Sequence, residues 1–328
     1  MLDLDERKDW VKTLVITIAG RTDVDPVFGP VVDVIKEQGF ELDKIQLLSR
    51  DQAPSKARGE AYSCAEVWAY GGWEDDGQEE RMRKEFAEIA EERGVDIAFQ
   101  QVAGTAAEDR VKPRLFCFDM DSTLIQGEVI DELAKMAGVA DRVVAITASA
   151  MRGEIEFQES FLRRVGLLAG LPESRARELL DRIPLMEGAE RLFRTLHTMG
   201  AKTAILSGGF TFFGAYLKER LGVDHVYANQ LDVDADGFVT GEVRGQIVDG
   251  ARKAELLVEI AAKEGIPLAE VVAVGDGAND LPMLRLAGMG VAFHAKPVVR
   301  TGAKFSMTHV GLDGLLYLLG IPDWEWTD

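Results

Sequence analysis

The chain has 328 residues, more than one typical small domain needs, and this length predicts about two domains. With 47% hydrophobic and 28% charged residues, the composition excludes wholesale disorder. Acidic residues outnumber basic ones by 56 to 37, giving a net charge of −19, and so negative a surface repels nucleic acids and anionic membranes. An anionic substrate would therefore need a locally positive site, a bound metal or helix N-termini to hold it.

Cysteine usage and the N-terminal composition predict a cytoplasmic protein. Two cysteines, Cys64 and Cys117, are too few for a disulfide framework, which favours a reducing compartment. The first residues, MLDLDERKDW, lack the basic and apolar regions of a signal peptide, and no uncharged apolar run is long enough to span a bilayer. We therefore expect a cytoplasmic location, with neither a membrane nor a nucleic acid as partner.

The N-terminal third of the chain alternates between strand and helix patterns. The predicted order, β-α-β-β-α-β, is that of a ferredoxin-like α+β domain. A small, polar segment at Gly104–Lys112 then has the composition of a linker. The six predicted elements are Lys12–Ile18, Val27–Gln38, Phe40–Leu48, Tyr62–Tyr70, Glu79–Arg93 and Val95–Gln101.

After the linker, the pattern changes to short, nearly continuous apolar strands separated by helices. The clearest strands are Arg114–Phe118, Thr203–Leu206 and Val271–Val274. They predict an α/β domain with a buried, Rossmann-like parallel sheet, in which ligands bind beyond the carboxyl ends of the strands. A hairpin turn is predicted at Asp232–Gly237, between two alternating segments.

Between the first two of these strands, the segment from Gly127 to Pro184 is dense in helix formers and has no strand pattern. We predict that it forms a helical-bundle cap above the strand ends. The predicted domains are therefore 1–108 and 109–328, the second with a core of about 109–126 and 185–328 and a cap of about 127–184. The predicted cap helices are Glu128–Ala137, Arg142–Met151, Phe157–Val165 and Glu173–Ile183.

Two carboxylates, Asp119 and Asp121, follow the first strand of the parallel sheet and leave it on the same side. An ordinary Asx-turn is the other interpretation, but an uninterrupted apolar strand leads into this turn. Such a pair can divide the work of phosphoryl transfer. One carboxylate oxygen attacks phosphorus, while the other carboxyl protonates the leaving oxygen and then deprotonates water.

Two further polar turns follow the other strands. Ser207-Gly208-Gly209 offers a hydroxyl and unobstructed backbone N–H groups for phosphate, although by itself it is also typical of a helix entry. In the third turn, Asp276, Asn279 and Asp280 supply the hard oxygen ligands that Mg²⁺ prefers, although Gly-Asp-Gly also occurs in structural turns. Lys253 begins a predicted helix over Ala254–Lys263; such a lysine is usually solvated, but this site needs a cation.

The three turns and Lys253 together meet the electrostatic requirement for binding a phosphate ester. A phosphomonoester dianion that approaches a carboxylate is repelled unless a divalent cation and a fixed positive charge take up its charge. The order DxDST, SGG, Lys and GDGxND meets these needs and closely resembles the haloacid dehalogenase superfamily. Within it, the chain from about Arg114 to Leu319 is similar to the phosphoserine phosphatases. The closest stretches are Phe118–Glu128, Ser160–Gly166, Leu206–Phe210 and Ala273–Pro282.

This resemblance implies a role for each matching core residue. Asp119 would be the nucleophile that becomes aspartyl-phosphate, and Asp121 the general acid and base. Mg²⁺ would be held by Asp119, the backbone carbonyl of Asp121 and Asp276, with Asp280 nearby. The remaining matches are phosphate-binding or polar positions of the site: Ser207, Gly208, Lys253 and Asn279.

In the cap, the resemblance implies that Glu128 receives the substrate ammonium and that Arg164 pairs with its carboxylate. Met151 and Phe157 would close over the substrate. The first two roles suit the chemistry, since phosphoserine carries one ammonium and one carboxylate besides its phosphate, and a guanidinium can bond both carboxylate oxygens. Taken without the resemblance, Glu128 is a first-turn helix acid and Arg164 a solvated charge.

The resemblance implies a Mg²⁺-dependent phosphatase that hydrolyses O-phospho-L-serine to L-serine and phosphate, the last step of serine biosynthesis. Two alternatives stay open: a phosphatase or phosphotransferase acting on another small phosphate ester, and a non-catalytic amino-acid sensor. Residues 1–108 resemble an ACT domain in topology and position. This implies an amino-acid effector or, alternatively, a dimerisation or spacer role without a ligand. Edge-to-edge pairing of such domains would give a homodimer.

Overall fold

The computed structural model describes residues 12–49, 62–73, 75, 77–102 and 109–327. The chain forms two compact units, Met1–Lys112 together with Phe305–Asp328, and Pro113–Lys304. Most of the predicted linker lies outside the described residues, and the domain limits drawn from the sequence stay a prediction. Within the described ranges, no helix combines the length and the apolar character that a membrane crossing requires.

The first unit contains a four-stranded antiparallel sheet with the strand order β2-β3-β1-β4. Each predicted element is present within two residues of its expected ends, and the ferredoxin-like α+β order is confirmed. Its elements are β1 (Lys12–Gly20), α1 (Asp25–Glu37), β2 (Glu41–Leu47), β3 (Ser63–Gly71), α2 (Gln78–Arg93) and β4 (Asp96–Val102).

Period-two alternation builds the core of this unit. Leu14, Ile16 and Ile18 on β1 pack with Val31 and Ile35 of α1, and all five are buried. Burying each such side chain contributes roughly 1.5–3 kcal/mol, which outweighs the modest helix propensity of the β-branched residues in α1.

Within the first unit, Asp96, the first residue of β4, connects the sheet to the C-terminal segment of the chain. The buried carboxylate of Asp96 accepts hydrogen bonds from the backbone N–H groups of Thr308, His309 and Val310, at 2.6, 2.9 and 3.2 Å. One carboxylate thereby accepts hydrogen bonds from three consecutive backbone donors.

In the second unit, six strands pair in the order β10-β9-β5-β6-β7-β8, and all neighbours are parallel except β7 and β8. The predicted parallel sheet and the hairpin that follows it are therefore confirmed. The strands are β5 (Leu115–Phe118), β6 (Lys202–Phe210), β7 (His225–Val233), β8 (Val239–Arg244), β9 (Val271–Gly275) and β10 (Met289–Phe293).

Helices flank the sheet and form the cap. The cap contains α3 (Val129–Met136), α4 (Ala140–Met151), α5 (Phe157–Gly166) and α6 (Glu173–Arg177). The other helices of the unit are α7 (Ala189–Thr198), α8 (Thr211–Leu221), α9 (Gly250–Glu264), α10 (Leu281–Leu286) and α11 (Pro297–Gly302). The chain then continues through β11 (Phe305–Met307) and α12 (Leu315–Leu318), and short 3₁₀ turns lie at Glu178–Asp181, Leu268–Glu270, Ala278–Asp280, Leu312–Gly314 and Asp323–Glu325.

Two local expectations were wrong. The helix predicted over Glu173–Ile183 is α-helical only to Arg177 and continues as a 3₁₀ turn to Asp181. Ser207-Gly208-Gly209 is not a turn but the irregular end of β6, where the register against β7 shifts between Leu206 and Phe210. Glycines allow this irregularity because they lack a Cβ.

Two sets of backbone hydrogen bonds hold the cap. Where the chain enters and leaves the cap, Gln126 N donates to Pro184 O at 2.9 Å and Met186 N donates to Leu124 O at 2.8 Å. On another side, the segment after α5 is bonded to the β7–β8 hairpin. There Gly170 N donates to Val239 O and Val239 N donates to Leu171 O, at 2.8 and 2.9 Å.

Candidate active site

Asp119 lies directly beyond β5, the strand between β6 and β9 in the sheet. Its backbone N–H donates to Val274 O at 2.9 Å, which ties the loop to β9. The Asp119 side chain is buried, and its Oδ1 accepts a hydrogen bond from Met120 N at 2.7 Å. The parallel arrangement thus brings this acid close to the loop that follows β9.

Lys253, in the first turn of α9, has no exposed surface. Its Nζ lies 2.8 Å from Asp119 Oδ1 and 2.7 Å from Asp280 Oδ1. Burial by itself would lower the pKa of this ammonium, but the two carboxylates outweigh burial and raise the pKa of Lys253. Lys253 is therefore a fixed cation at the bottom of the site.

Three acids could hold a metal ion. One carboxylate oxygen each from Asp119, Asp276 and Asp280 lies within 4.8 Å of the other two. Burial and the charge of Asp280 raise the pKa of Asp119, against the attraction of Lys253, and the same two causes raise the pKa of Asp276 to about 7. Crowded carboxylates that repel one another are a donor set of hard oxygens suited to a divalent cation, so the residues fit a metal.

Asp121 differs from Asp119 in its contacts. Its buried Oδ1 accepts a hydrogen bond from Val129 N at 2.9 Å, at the start of α3. Burial first, and then repulsion by Glu128, raise the pKa of Asp121 to about 8. A carboxyl group with such a pKa is protonated at neutral pH and can act as an acid.

The end of β6 lies against Asp121. A Cβ at Gly209 would be only 2.4 Å from Asp121 Oδ2, so the backbone approaches the acid more closely than any side chain would permit. Gly209 N donates to Ser207 Oγ at 2.8 Å, which leaves the buried Ser207 hydroxyl proton free to bond a substrate oxygen.

Sequence reasoning missed Asn229, which holds this segment in place. The buried Asn229 side chain donates from Nδ2 to Gly208 O and accepts at Oδ1 from Val248 N, both at 2.8 Å. It thereby connects the predicted phosphate-binding glycine with the residues before α9. An amide inside an apparent strand is unusual and was the available signal.

The predicted polar residue of the third turn is also near the acids. Asn279 Nδ2 lies 3.4 Å from Asp280 Oδ1, and Asp280 Oδ2 accepts a hydrogen bond from Gly277 N at 2.9 Å. Thr123 Oγ1 donates to Asp276 Oδ1 at 3.3 Å, which joins the first loop to the third.

Glu128 and Arg164 bring opposite charges to the cap side of the site. Ser122, whose φ of 55° is unusual for a residue other than glycine, donates from its hydroxyl to Glu128 Oε1 at 3.1 Å. Desolvation and Asp131 raise the pKa of Glu128, whereas Arg164 lowers it, so the two charges lie close enough to attract. Partial burial lowers the pKa of Arg164, and Glu128 opposes that shift.

The two apolar cap residues are placed differently. Phe157, at the start of α5, lies against the end of β6, because a Cβ at Gly208 would be 3.3 Å from Phe157 Cζ. Met151, at the end of α4, is 64% exposed, and its sulfur lies 3.8 Å from Lys296 Nζ. The structure thus brings Phe157 to the predicted phosphate site and leaves Met151 exposed beside Lys296. The roles given to the site residues stay predictions.

Comparison with known proteins agrees with this fold. The family model for haloacid dehalogenase-like hydrolases matches residues 116–285. A crystal structure of a hydrolase of that family from Salmonella enterica serovar Typhi superposes with a TM-score of 0.76 at 30% identity, covering 94% of this chain and 98% of the other. The fold is that of this hydrolase class, and the chain is an enzyme of the class.

Relatives with higher sequence identity identify the family within this hydrolase class. A phosphoserine phosphatase from Archaeoglobus fulgidus is 46% identical over 241 residues, which are 74% of this chain and 69% of that protein. Another, from Streptomyces coelicolor, is 42% identical over 318 residues, which are 97% of this chain and 73% of that protein. The chain belongs to the phosphoserine phosphatase family of the haloacid dehalogenase-like hydrolases.

Proposed function

We propose that this enzyme hydrolyses O-phospho-L-serine to L-serine and phosphate in the cytoplasm. The observation that carries the proposal is the charge arrangement: the buried Asp119, Lys253 and Asp280 group lies beneath a cap that presents Glu128 and Arg164. The two cap charges suit the amino and carboxylate groups of a phospho-amino acid, and Lys253 suits its phosphate when a divalent cation offsets the neighbouring acids. The two described cysteines, both buried and free, are consistent with a reducing compartment.

In the first step, an Asp119 oxygen attacks phosphorus and the bond from phosphorus to the serine oxygen breaks. Asp121, protonated at neutral pH because its pKa is about 8, gives its proton to that leaving oxygen. Lys253, the Ser207 hydroxyl and the Gly208 N–H bind the phosphate oxygens. Their positions are set before substrate arrives, because Asn229 and the two acids hold them.

In the second step, the Asp121 carboxylate takes a proton from water as the water oxygen attacks phosphorus. The bond between phosphorus and Asp119 then breaks, which restores both acids and releases phosphate. The cap keeps water out until the first step is complete. Mg²⁺, held by Asp119, Asp276 and the Asp121 carbonyl with Asp280 nearby, would neutralise charge between the nucleophile and the phosphate.

Substrate pairs test the proposal. Wild-type enzyme with Mg²⁺ should release phosphate from phosphoserine, and Asp119→Asn should abolish turnover while leaving the circular dichroism spectrum unchanged. Arg164→Ala should raise KM for phosphoserine by about 10- to 100-fold, the loss of a bidentate ion pair. The same variant should change KM for O-phosphoethanolamine, which lacks the carboxylate, by less than about threefold.

The exposed Arg163, which pairs with Glu159 on the same helix, provides the matched control as Arg163→Ala. Equal effects of Arg164→Ala on both substrates would remove the carboxylate-binding role. Near wild-type turnover by Asp119→Asn would overturn the assignment of the nucleophile. A substrate panel in which a sugar phosphate is hydrolysed faster than phosphoserine would overturn the assignment of phosphoserine as the substrate.

We also propose an ACT-like regulatory role for the first unit, with an amino-acid effector, and a homodimer formed through β2. Support for the dimer comes from the sheet edge: β2 is the outermost strand, and its Leu42, Ile45 and Leu47 are 38–42% exposed. Among the described strands, none pairs with the outer side of β2, and a strand edge with apolar side chains is a pairing surface. Sedimentation of the wild type and of Ile45→Lys would test this, since a dimer should dissociate in the variant.

A further inference from the structure

The first turn of α5 carries two adjacent contacts between the cap and the core. Phe157 packs against the backbone at Gly208, within 3.3 Å of the position of a Cβ. The next residue, Gln158, donates from Nε2 to Asp249 Oδ2 at 2.6 Å. The cap therefore contacts the core on both segments that are predicted to bind phosphate, the end of β6 and the start of α9.

Asp249 uses its two oxygens for different purposes. Oδ1 accepts a hydrogen bond from Arg252 N at 2.9 Å and caps the N-terminus of α9, while Oδ2 accepts from Gln158. The Asp249 carbonyl also accepts the first helical hydrogen bond, from Lys253 N at 2.9 Å. The same residue that begins the helix of the buried lysine thus also holds the cap.

The cap is attached unequally on its different sides. Toward the β7–β8 hairpin it is held by backbone hydrogen bonds, including those between Gly170, Leu171 and Val239. Toward α9 it is held by a hydrogen bond between side chains, one of them exposed. Local opening follows the weaker attachment, because exposed side-chain bonds contribute less than paired backbone segments.

We infer that Gln158 is a positioning residue that keeps the α5 side of the cap closed over the phosphate-binding segments through its hydrogen bond to Asp249. The expected change in KM rests on the proposed function, whereas the expected opening of the cap does not. When the bond breaks, Phe157 leaves Gly208 and water enters the site beside Asp121.

Exchanging the donor and the acceptor tests the hydrogen bond between Gln158 and Asp249. Gln158→Glu places a second carboxylate against Asp249, so the α5 side should open. Asp249→Asn alone should have a small effect, because asparagine also caps helices. In the double variant, the amide introduced by Asp249→Asn can donate to the new carboxylate while its oxygen caps Arg252 N, so closure should return.

The primary readout is hydrogen exchange of residues 157–166 in substrate-free protein. Gln158→Ala and Gln158→Glu should exchange about three- to tenfold faster than wild type, the range expected for the loss of one ordinary, solvent-exposed hydrogen bond. The effect of Gln158→Glu should shrink at high salt, because repulsion between exposed charges is screened. KM for phosphoserine should rise by a similar factor in both variants, and Glu159→Ala on the same helix should match wild type.

Unchanged exchange in both Gln158 variants would overturn the inference, and so would a double variant as open as Gln158→Glu. Faster exchange together with rescue in the double variant would support it. If the wild type does not hydrolyse phosphoserine, the proposed function fails, but the exchange comparison still decides the role of Gln158. Melting temperatures of all variants identify any that is globally destabilised, and for such a variant the double-variant rescue is the deciding comparison.

Discussion

Replacing Lys253 by methionine perturbs the buried charges of the site more directly than any other change. Methionine has a similar length, so packing is largely kept while the positive charge is removed. The two partner carboxylates, on Asp119 and Asp280, are 8% and 0% exposed and cannot regain water without rearrangement. At an effective dielectric constant of about 20, each lost pair corresponds to roughly 6 kcal/mol of attraction, of which the desolvation of the ions offsets a large part.

Protonation of a carboxylate limits the loss in the free energy of unfolding that we expect for Lys253→Met. The variant can take up one more proton than the wild type, and protonating a carboxyl of ordinary pKa at pH 7 costs about 4 kcal/mol. This agrees with the roughly 3–5 kcal/mol typical of removing one partner of a buried ion pair. The native variant holds this extra proton and the unfolded chain does not, so the deficit grows as pH rises. Between pH 7 and pH 5 it should shrink by about 2.7 kcal/mol.

Urea unfolding followed by circular dichroism at pH 5, 6 and 7 measures this deficit. The measurements need a chelator, because a bound cation would itself neutralise the carboxylates and hide the effect. Lys263→Met, an exposed position on the same helix, is the matched control and should change the free energy of unfolding by less than about 0.5 kcal/mol. A deficit at pH 7 below about 1 kcal/mol, or one that is equal at pH 5 and pH 7, would refute the reasoning.

Three further predictions follow. Mg²⁺ binding should release roughly half a proton from Asp276 at pH 7 and almost none at pH 9, because the metal requires an ionised carboxylate and the pKa of Asp276 is about 7. Calorimetry in buffers of different ionisation enthalpy measures this release, and no dependence on buffer at pH 7 would contradict it. Gly209→Ala should lower kcat/KM by about 100-fold, because the new Cβ would displace Asp121 Oδ2. The control is Gly166→Ala, since nothing lies within 4 Å of a Cβ at that position. Near wild-type kinetics of Gly209→Ala would contradict the close approach of its backbone to Asp121. Asp96→Ala should destabilise the first unit by about 2–4 kcal/mol, because three backbone N–H groups lose their acceptor, and a thermal shift below about 1 °C would count against it.

The sequence predicted the four strands of the first unit and three strands of the parallel sheet, β5, β6 and β9, because their signals are local, whereas β10 was not predicted. Leu115–Phe118 and Val271–Gly275 are buried along their whole length and read as continuous apolar runs. Parallel neighbours bring their carboxyl ends together, so the meeting of Asp119 with Asp276 followed from the order of strands and turns.

Residues that connect distant segments could not be predicted in this way. Asn229 bonds backbone groups 21 and 19 residues away, and Gln158 bonds Asp249, 91 residues away. Surface glutamines are common, and although asparagine is uncommon in strands, nothing in the sequence near either residue specifies which distant group its side chain bonds. The bonding of Thr308, His309 and Val310 to Asp96 was missed for the same reason.

Local sequence was therefore enough for the periodicity of the elements, the polar residues after the three predicted strands and the family resemblance, because each depends on neighbours along the chain. Tertiary structure alone decided which lone side chains hold separate segments together, and it buried Lys253 between two acids. It also set the pKa of Asp121 near 8. These properties depend on distance and desolvation in three dimensions, which residue order does not specify.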